Sequence, residues 1–294
     1  VLPQLSAAGN AWWVNSVGNV MIKKAEIEIG GQLIDRHYGE WMNIWTELSV
    51  PAGKRPGYDN MVLNHAKAGQ LGHDTLNATA AAKRVYVPLQ FWFCRNPGLA
   101  LPLIALQYHE VKVNLTTRPL NDLATVNTGQ TLGTGSLGCK LYVDYVYLDT
   151  DERRRFAQVS HEYLIEQVQF QSNISSTSFD LNFNHPVKEL VWVAQSDAIT
   201  TNNRQYNNYG TEPKGYDDES QSGKAVERKY GEARSLNPVS AAKLQLNGQD
   251  RFSEREGSYF DLVQPYQCHT RNPDTGINVY SFSLRPEEHQ PSGT

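Results

Sequence analysis

The chain has 294 residues, 39% of them hydrophobic, with a formal net charge of −4 at pH 7. That length holds two domains of ordinary size around a real core. So mild an acidity argues against a polyanion-binding role, and no apolar run approaches the length of a membrane span.

Leu5–Asn10 is a turn of small residues. Trp12–Ile29 passes a break at Gly18 into Val20–Ile29, where Met21, Ala25, Ile27 and Ile29 share one parity. That alternation predicts a half-buried strand ending at Gly30-Gly31. In Gly39–Leu48 the period changes: Trp41, Ile44, Trp45 and Leu48 stand at i, i+3, i+4 and i+7, one short amphipathic helix. Pro51–Ala82 reads as irregular and polar, long for a loop within a compact domain.

Arg84–Leu115 is the most informative stretch. Val85, Val87, Leu89, Phe91 and Phe93 alternate with Tyr86, Pro88, Gln90 and Trp92, which predicts a strand with one dry face. Asn96-Pro97-Gly98 breaks it, an apolar elbow Leu99–Leu106 follows, and Tyr108–Leu115 is a second strand. This is the pattern of a β-barrel or sandwich. Pro119–Gly138 is a loop, Cys139–Leu148 an alternating strand, and Asp149–Val159 a capped helix with acids first and arginines later, placed as the domain connector.

Strands are expected again at Tyr163–Phe170, Thr177–Phe183 and Val187–Ala194. Gln195–Asn237 is an exposed, low-hydrophobicity excursion. Lys243–Leu246 returns to strand, Ser258–Tyr266 forms a short helix, and Ile277–Leu284 is a last strand.

A sparse repeat runs through this order. Ile27-x-Ile29-Gly30-Gly31-Gln32 matches Leu244-x-Leu246-Asn247-Gly248-Gln249. Each copy then carries Asp-Arg (Asp35-Arg36; Asp250-Arg251), a Gly (Gly39; Gly257), an aromatic helical stretch and an alternating strand. Two tandem all-β domains, 1–152 and 153–294, follow from the shared order. By this mapping the first copy lacks its opening strands and the second its closing strands. The chain, which starts at Val1 without Met, is therefore read as a piece of a longer protein whose open sheet edges make it self-associate.

Motifs that carry chemistry are weak. Gly133-Thr-Gly135-Ser-Leu-Gly138 satisfies G-x-G-x-x-G but lacks the strand before it and the helix after it that a dinucleotide site needs. His109-Glu110 reads as a surface pair, and the eight histidines show no zinc spacing. Cys94, Cys139 and Cys268 form no CxxC pair and are expected as free, buried thiols of a reducing compartment. The acid clusters (Asp149, Asp151, Glu152; Asp217, Asp218, Glu219; Glu287, Glu288) lack the order of a calcium loop. Arg153-Arg154-Arg155 is assigned to helix-end charge and contacts between domains, and the sequons at Asn77, Asn114 and Asn173 to chance. No catalytic, cofactor-binding or metal-binding residue is assigned, and no cofactor is expected.

Four motifs in order nevertheless carry a resemblance that covers nearly the whole chain. They are Ile29-Gly-Gly-Gln32 with Ile34-Asp-Arg-His-Tyr-Gly-Glu-Trp41, Val87-Pro-Leu-Gln-Phe-Trp-Phe93, Leu99-Ala-Leu-Pro-Leu-Ile-Ala-Leu106, and Leu284-Arg-Pro-Glu-Glu-His-Gln-Pro-Ser-Gly-Thr294. Together they resemble the major capsid protein of large eukaryotic DNA viruses, the group of iridoviruses, phycodnaviruses and mimivirus relatives. The resemblance implies a tandem double jelly roll with short helices in its connections, forming trimers of near-hexagonal outline that tile an icosahedral shell. The implied partners are the chain itself as a homotrimer, neighbouring capsomers, and minor capsid and penton proteins. Nucleic acid is not expected, and an internal membrane is involved only indirectly. The implied location is the virion, assembled in the host cytoplasm. Two other readings stand beside it: a lattice-forming scaffold of the same fold, and a carbohydrate-binding or carbohydrate-active double jelly roll.

Overall fold

Strand formation begins where the alternation is cleanest. In a computed structural model, which describes residues 2, 5–6, 11–64, 79–80, 84–126, 137–172, 176–197, 199–200, 205–211 and 236–290, Ala11–Trp13 (β1) leads through a helical turn Val17–Met21 (α1) into Ile22–Ile29 (β2). Gln32–Tyr38 (β3) returns antiparallel to β2, and Val111–Thr117 (β4) pairs on its other side, giving the order β3-β2-β4. Ala25 and Ile27 are fully buried on the expected parity. Ile22 is buried from the opposite parity, because the β2–β4 register shifts between Ile22 and Lys24. A bulge of this kind adds one residue and re-aims the side chain before it.

The turn from β2 to β3 has positive φ at both Gly30 (61°) and Gly31 (80°). Two such residues make the tight connection whose twist matches paired strands. The second copy does the same: Asn247 (51°) and Gly248 (78°) join Gln245–Leu246 (β7) to Gln249–Asp250 (β8). The two glycines matched by the repeat also share an environment. A Cβ on Gly39 would lie 2.4 Å from the Asn19 and Ile22 carbonyl oxygens, and one on Gly257 1.8 Å from the Val239 oxygen. Each is therefore the residue at which a following helical stretch passes against backbone.

Gly39–Ser49 (α2) forms where the period-3.6 stripe predicts it, but its burial is wider than one face. Met42 enters a cluster with Ile27, Phe91 and Trp92, while Ile44 and Leu48 enter another with Tyr209, Ile277 and Val279. α2 thus packs on two sides, and one of them is built by the far half of the sequence. Arg55–Val62 (α3) lies inside the stretch read as irregular. Pro56 belongs to its first turn, where a missing N–H costs nothing.

Residues 84–91 keep the predicted parity without joining a sheet. Val85, Val87 and Leu89 pack against the clusters, and Tyr86 N–H donates to the Met61 carbonyl at 2.9 Å. Pro88 offers no N–H to a ladder, and Trp92–Arg95 turns helical, which buries Trp92 against its parity. Within the expected loop 119–138, Ala124–Val126 (β5) pairs with β1.

Thr150–Gln158 (α4) is capped as read: Asp149 accepts from Glu152 N–H at 2.8 Å and the Glu152 side chain answers to the Asp149 N–H, a capping box. Glu189–Trp192 (β6) pairs antiparallel with Asn278–Ser281 (β9). Between them Tyr259–Val263 forms a π-turn that continues into Gln264–Cys268 (α5). The strands expected at 163–170 and 177–183 form no ladder; side chains join the two stretches instead, Gln169 bonding the backbone of Asn184 in both directions and Gln171 that of Asp180 and Asn182. Among the described residues no helix is long and apolar enough to cross a membrane.

Candidate assembly surface

The residues weighed for chemistry are placed as structural parts. Residues 133–136 of the glycine motif, the acids Asp217–Glu219, and the sequon residues Asn77 and Asn173 lie outside the described residues. Asn114 sits in β4 opposite Glu26. The His109 ring stands over Gly30, and Glu110 accepts the Gly30 N–H at 2.9 Å, so this pair closes the β2–β3 turn.

The cysteines depart from expectation. They are free, but Cys94 and Cys139 are exposed and Cys268 is half-buried. Cys94 falls in a helical turn whose Trp92 takes the inward place, and Cys139 opens a segment with no inner face. Burial pushes the Cys268 thiol up, away from activation as a nucleophile.

Among the described residues no group of His, Cys, Asp and Glu is placed to hold a metal. His269 lies between Glu189 and Glu287 and spends both ring nitrogens on their carboxylates, each at 2.9 Å. Burial alone would lower the His269 pKa. The hydrogen bonds to Glu189 and Glu287 outweigh it and raise the value to about 9.

What the side chains do build is a charged seam between early and late sequence. The buried Glu47 carboxylate receives Arg55 on one oxygen and Arg271 on the other, each at 2.5 Å. Arg271 also donates from Nε to the Glu47 carbonyl at 2.8 Å. Nearby, Glu166 takes Arg95 and Lys188, and the Arg95 guanidinium lies 4.8 Å above the Trp45 ring. Gln167 and Val168 reach the β3 edge, the Val168 N–H donating to Asp35 Oδ1 at 3.0 Å. Arg153, Arg154 and Arg155 take no part. They are exposed on α4, where among the described residues Arg154 meets Asp151 at 3.8 Å, so contacts between the halves are made by Arg95 and Arg271 instead. Charge pairs between residues over seventy positions apart leave no local pattern, which is why sequence reading missed them.

The opposite character marks residues 137–158. Tyr142, Val146 and Tyr147 are 78%, 76% and 92% exposed, and α4 buries nothing. Apolar side chains displayed on this scale mark a contact surface.

Known proteins resemble the chain in both sequence and fold. Residues 1–149 match the family described as major capsid protein N-terminus, and residues 152–294 the family described as large eukaryotic DNA virus major capsid protein. The chain is 46% identical to the major capsid protein of Pyramimonas orientalis virus, covering 100% of this chain and 70% of that one. It is 41% identical to that of Phaeocystis pouchetii virus, covering 98% and 74%. Among solved structures, a quasi-atomic model of the PBCV-1 virus capsid aligns with a TM-score of 0.73 at 36% identity, over 99% of this chain and 71% of that one. The Faustovirus major capsid protein aligns with a TM-score of 0.70 at 13% identity over 97% and 67%, a likeness of fold.

Proposed function

The chain belongs to the major capsid protein family of large eukaryotic DNA viruses, and on that footing we propose that it folds as two jelly rolls in tandem, 1–152 and 153–294, and assembles as a homotrimer. It is a structural protein of the virion shell, as its relatives are, and not an enzyme. The observation that carries the proposal is the two-part family match, 1–149 and 152–294, along the chain. The duplicated unit supports it from within: strand, positive-φ turn, strand, crowded glycine and helix occur in both copies.

Three copies of a double jelly roll present six barrels, which give a near-hexagonal block able to tile an icosahedral lattice. Each barrel is a stiff pair of packed sheets with loops free to vary at its ends. The seam through Glu47, Glu166 and Tyr209 suits this role, because a lattice block must transmit load between its two barrels without hinging. Neighbouring capsomers, minor capsid proteins and penton proteins are the partners. A net charge of −4 suits a wall that makes no nucleic-acid contact and meets an internal membrane only indirectly. Assembly takes place in the host cytoplasm.

Light scattering of the purified protein, with negative-stain images of the same peak, tests the proposal. A stable trimer with a hexagonal outline supports it, and a well-behaved monomer overturns it.

A further inference from the structure

The two hairpin turns matched by the repeat are alike in backbone and unlike in what surrounds them. In the first, the Gly30 N–H is held by the Glu110 carbonyl at 2.9 Å, and a Cβ at Gly30 would lie 2.8 Å from the His109 ring. That turn is packed and has no room for a side chain at its first position. In the second, Asn247 stands where Gly30 does, and its side-chain amide has no hydrogen-bond partner among the described residues. A Cβ at Gly248 would meet nothing within 4 Å, and both turn residues are exposed.

Asn is one of the few residues besides Gly that accept positive φ, which accounts for its place in a two-residue turn. Asn247-Gly248 is also the only Asn-Gly step in the 294 residues, and that step carries its own chemistry. A glycine nitrogen has no Cβ beside it to hinder its approach to the amide carbon of the preceding side chain. When it attacks, a bond forms from the Gly248 nitrogen to Asn247 Cγ, the Cγ–Nδ2 bond breaks, and ammonia leaves with the proton of the Gly248 amide. Water then opens the five-membered imide at either carbonyl, giving aspartate or isoaspartate. Water is the only co-reactant. The attack draws on the turn when it opens, since the backbone must rotate to bring the nitrogen onto Cγ. β7 and β8 pair over two residues each, and all four are exposed. A ladder that short opens at little cost.

We infer that Asn247 is a self-modification site, where the Gly248 nitrogen converts the side-chain amide to aspartyl and isoaspartyl forms with loss of ammonia. The isoaspartyl form runs the main chain through the side-chain carbon and so lengthens a turn whose length fixes the β7–β8 register. The Gly30-Gly31 turn has no amide to convert. One hairpin of the pair thus carries a one-way, time-dependent change and its counterpart none. The inference needs neither the jelly-roll reading nor the trimer.

Peptide mapping of the whole protein after incubation in mildly alkaline buffer tests it, with Asn247→Gly and a synthetic peptide of residues 243–251 as references. Asn247→Gly gives the second turn the residues of the first, so it keeps the fold, and a circular dichroism melt checks this. In the wild type, acid and isoaspartyl products accumulate at position 247 no more than about tenfold slower than in the free peptide. Their rate rises with pH, because the attacking nitrogen must lose its proton. Labelling by isoaspartyl methyltransferase is lost in Asn247→Gly. A position 247 that stays an amide while the free peptide converts, or labelling that persists in Asn247→Gly, overturns the inference.

Discussion

Arg271 and Glu47 stand 224 positions apart in sequence, yet the guanidinium holds both the carboxylate and the carbonyl of that glutamate. The Arg271 N–H also donates to the Leu48 carbonyl at 3.0 Å, so the late chain is fixed to the C-terminal end of α2 by backbone and side chain together. Because Arg55 occupies the other carboxylate oxygen, one buried anion is shared by two cations.

Replacing Glu47 by Gln leaves Arg271 without its carboxylate and Arg55 with Asp59 alone. Removing one partner of a buried ion pair costs about 3–5 kcal/mol. Glu47→Gln should lower the denaturant midpoint accordingly with an unchanged slope. A loss under about 1 kcal/mol would show that water reaches the pair.

His269 makes stability depend on pH. Its pKa is near 6.5 in the unfolded chain and about 9 in the folded one. Its contribution is therefore complete below pH 6.5 and is lost as pH rises through 9. The whole effect is about 3 kcal/mol by linkage. Glu287, held below its usual value of 4.5, acts in the opposite window: its contribution is present above that value and lost as pH falls. Urea midpoints from pH 6 to 10 should decline, and His269→Gln should flatten that decline and also shrink the acid limb, because the same histidine helps hold Glu287 down.

Gly39→Ala forces a methyl group against two carbonyl oxygens, whereas a Cβ on Gly53 meets nothing within 4 Å. The first should cost at least about 2 kcal/mol and the second stay within about 0.5 kcal/mol. Paired thermal melts separate close backbone approach from a generic loss of glycine. Equal shifts would refute the distinction.

Much of this was legible beforehand because it is local. The Gly30-Gly31 and Asn247-Gly248 turns, the Asp149 cap and the α2 stripe each lie within one element, so period and turn chemistry suffice to find them. α3 was missed because its inward positions Arg55, Tyr58, Asp59 and Val62, at i, i+3, i+4 and i+7, are half polar. A search for apolar periodicity passes over them, although Arg55 and Asp59 pair at 2.8 Å across one turn. The parity of 84–91 was right and its sheet partner absent, since alternation reports a dry face and says nothing about the neighbouring strand. The seam depends on residues brought together only by the completed fold.

Asp149→Ala removes the cap of a helix that buries nothing, so its effect should be local. About 1 kcal/mol is expected, seen as faster amide exchange over 150–158 rather than as a lower global melting point.

The same bare helix bears on how the chain would be cut. Arg153, Arg154 and Arg155 offer trypsin three adjacent sites on a segment left exposed among the described residues. A nick there divides the polypeptide near its middle, yet Arg271 on Glu47, Arg95 on Glu166, and the packing of Ile44 and Leu48 with Ile277 and Val279 all lie across the cut. The two pieces should run separately on a denaturing gel and together on a native column, a clipped protein that keeps its shape.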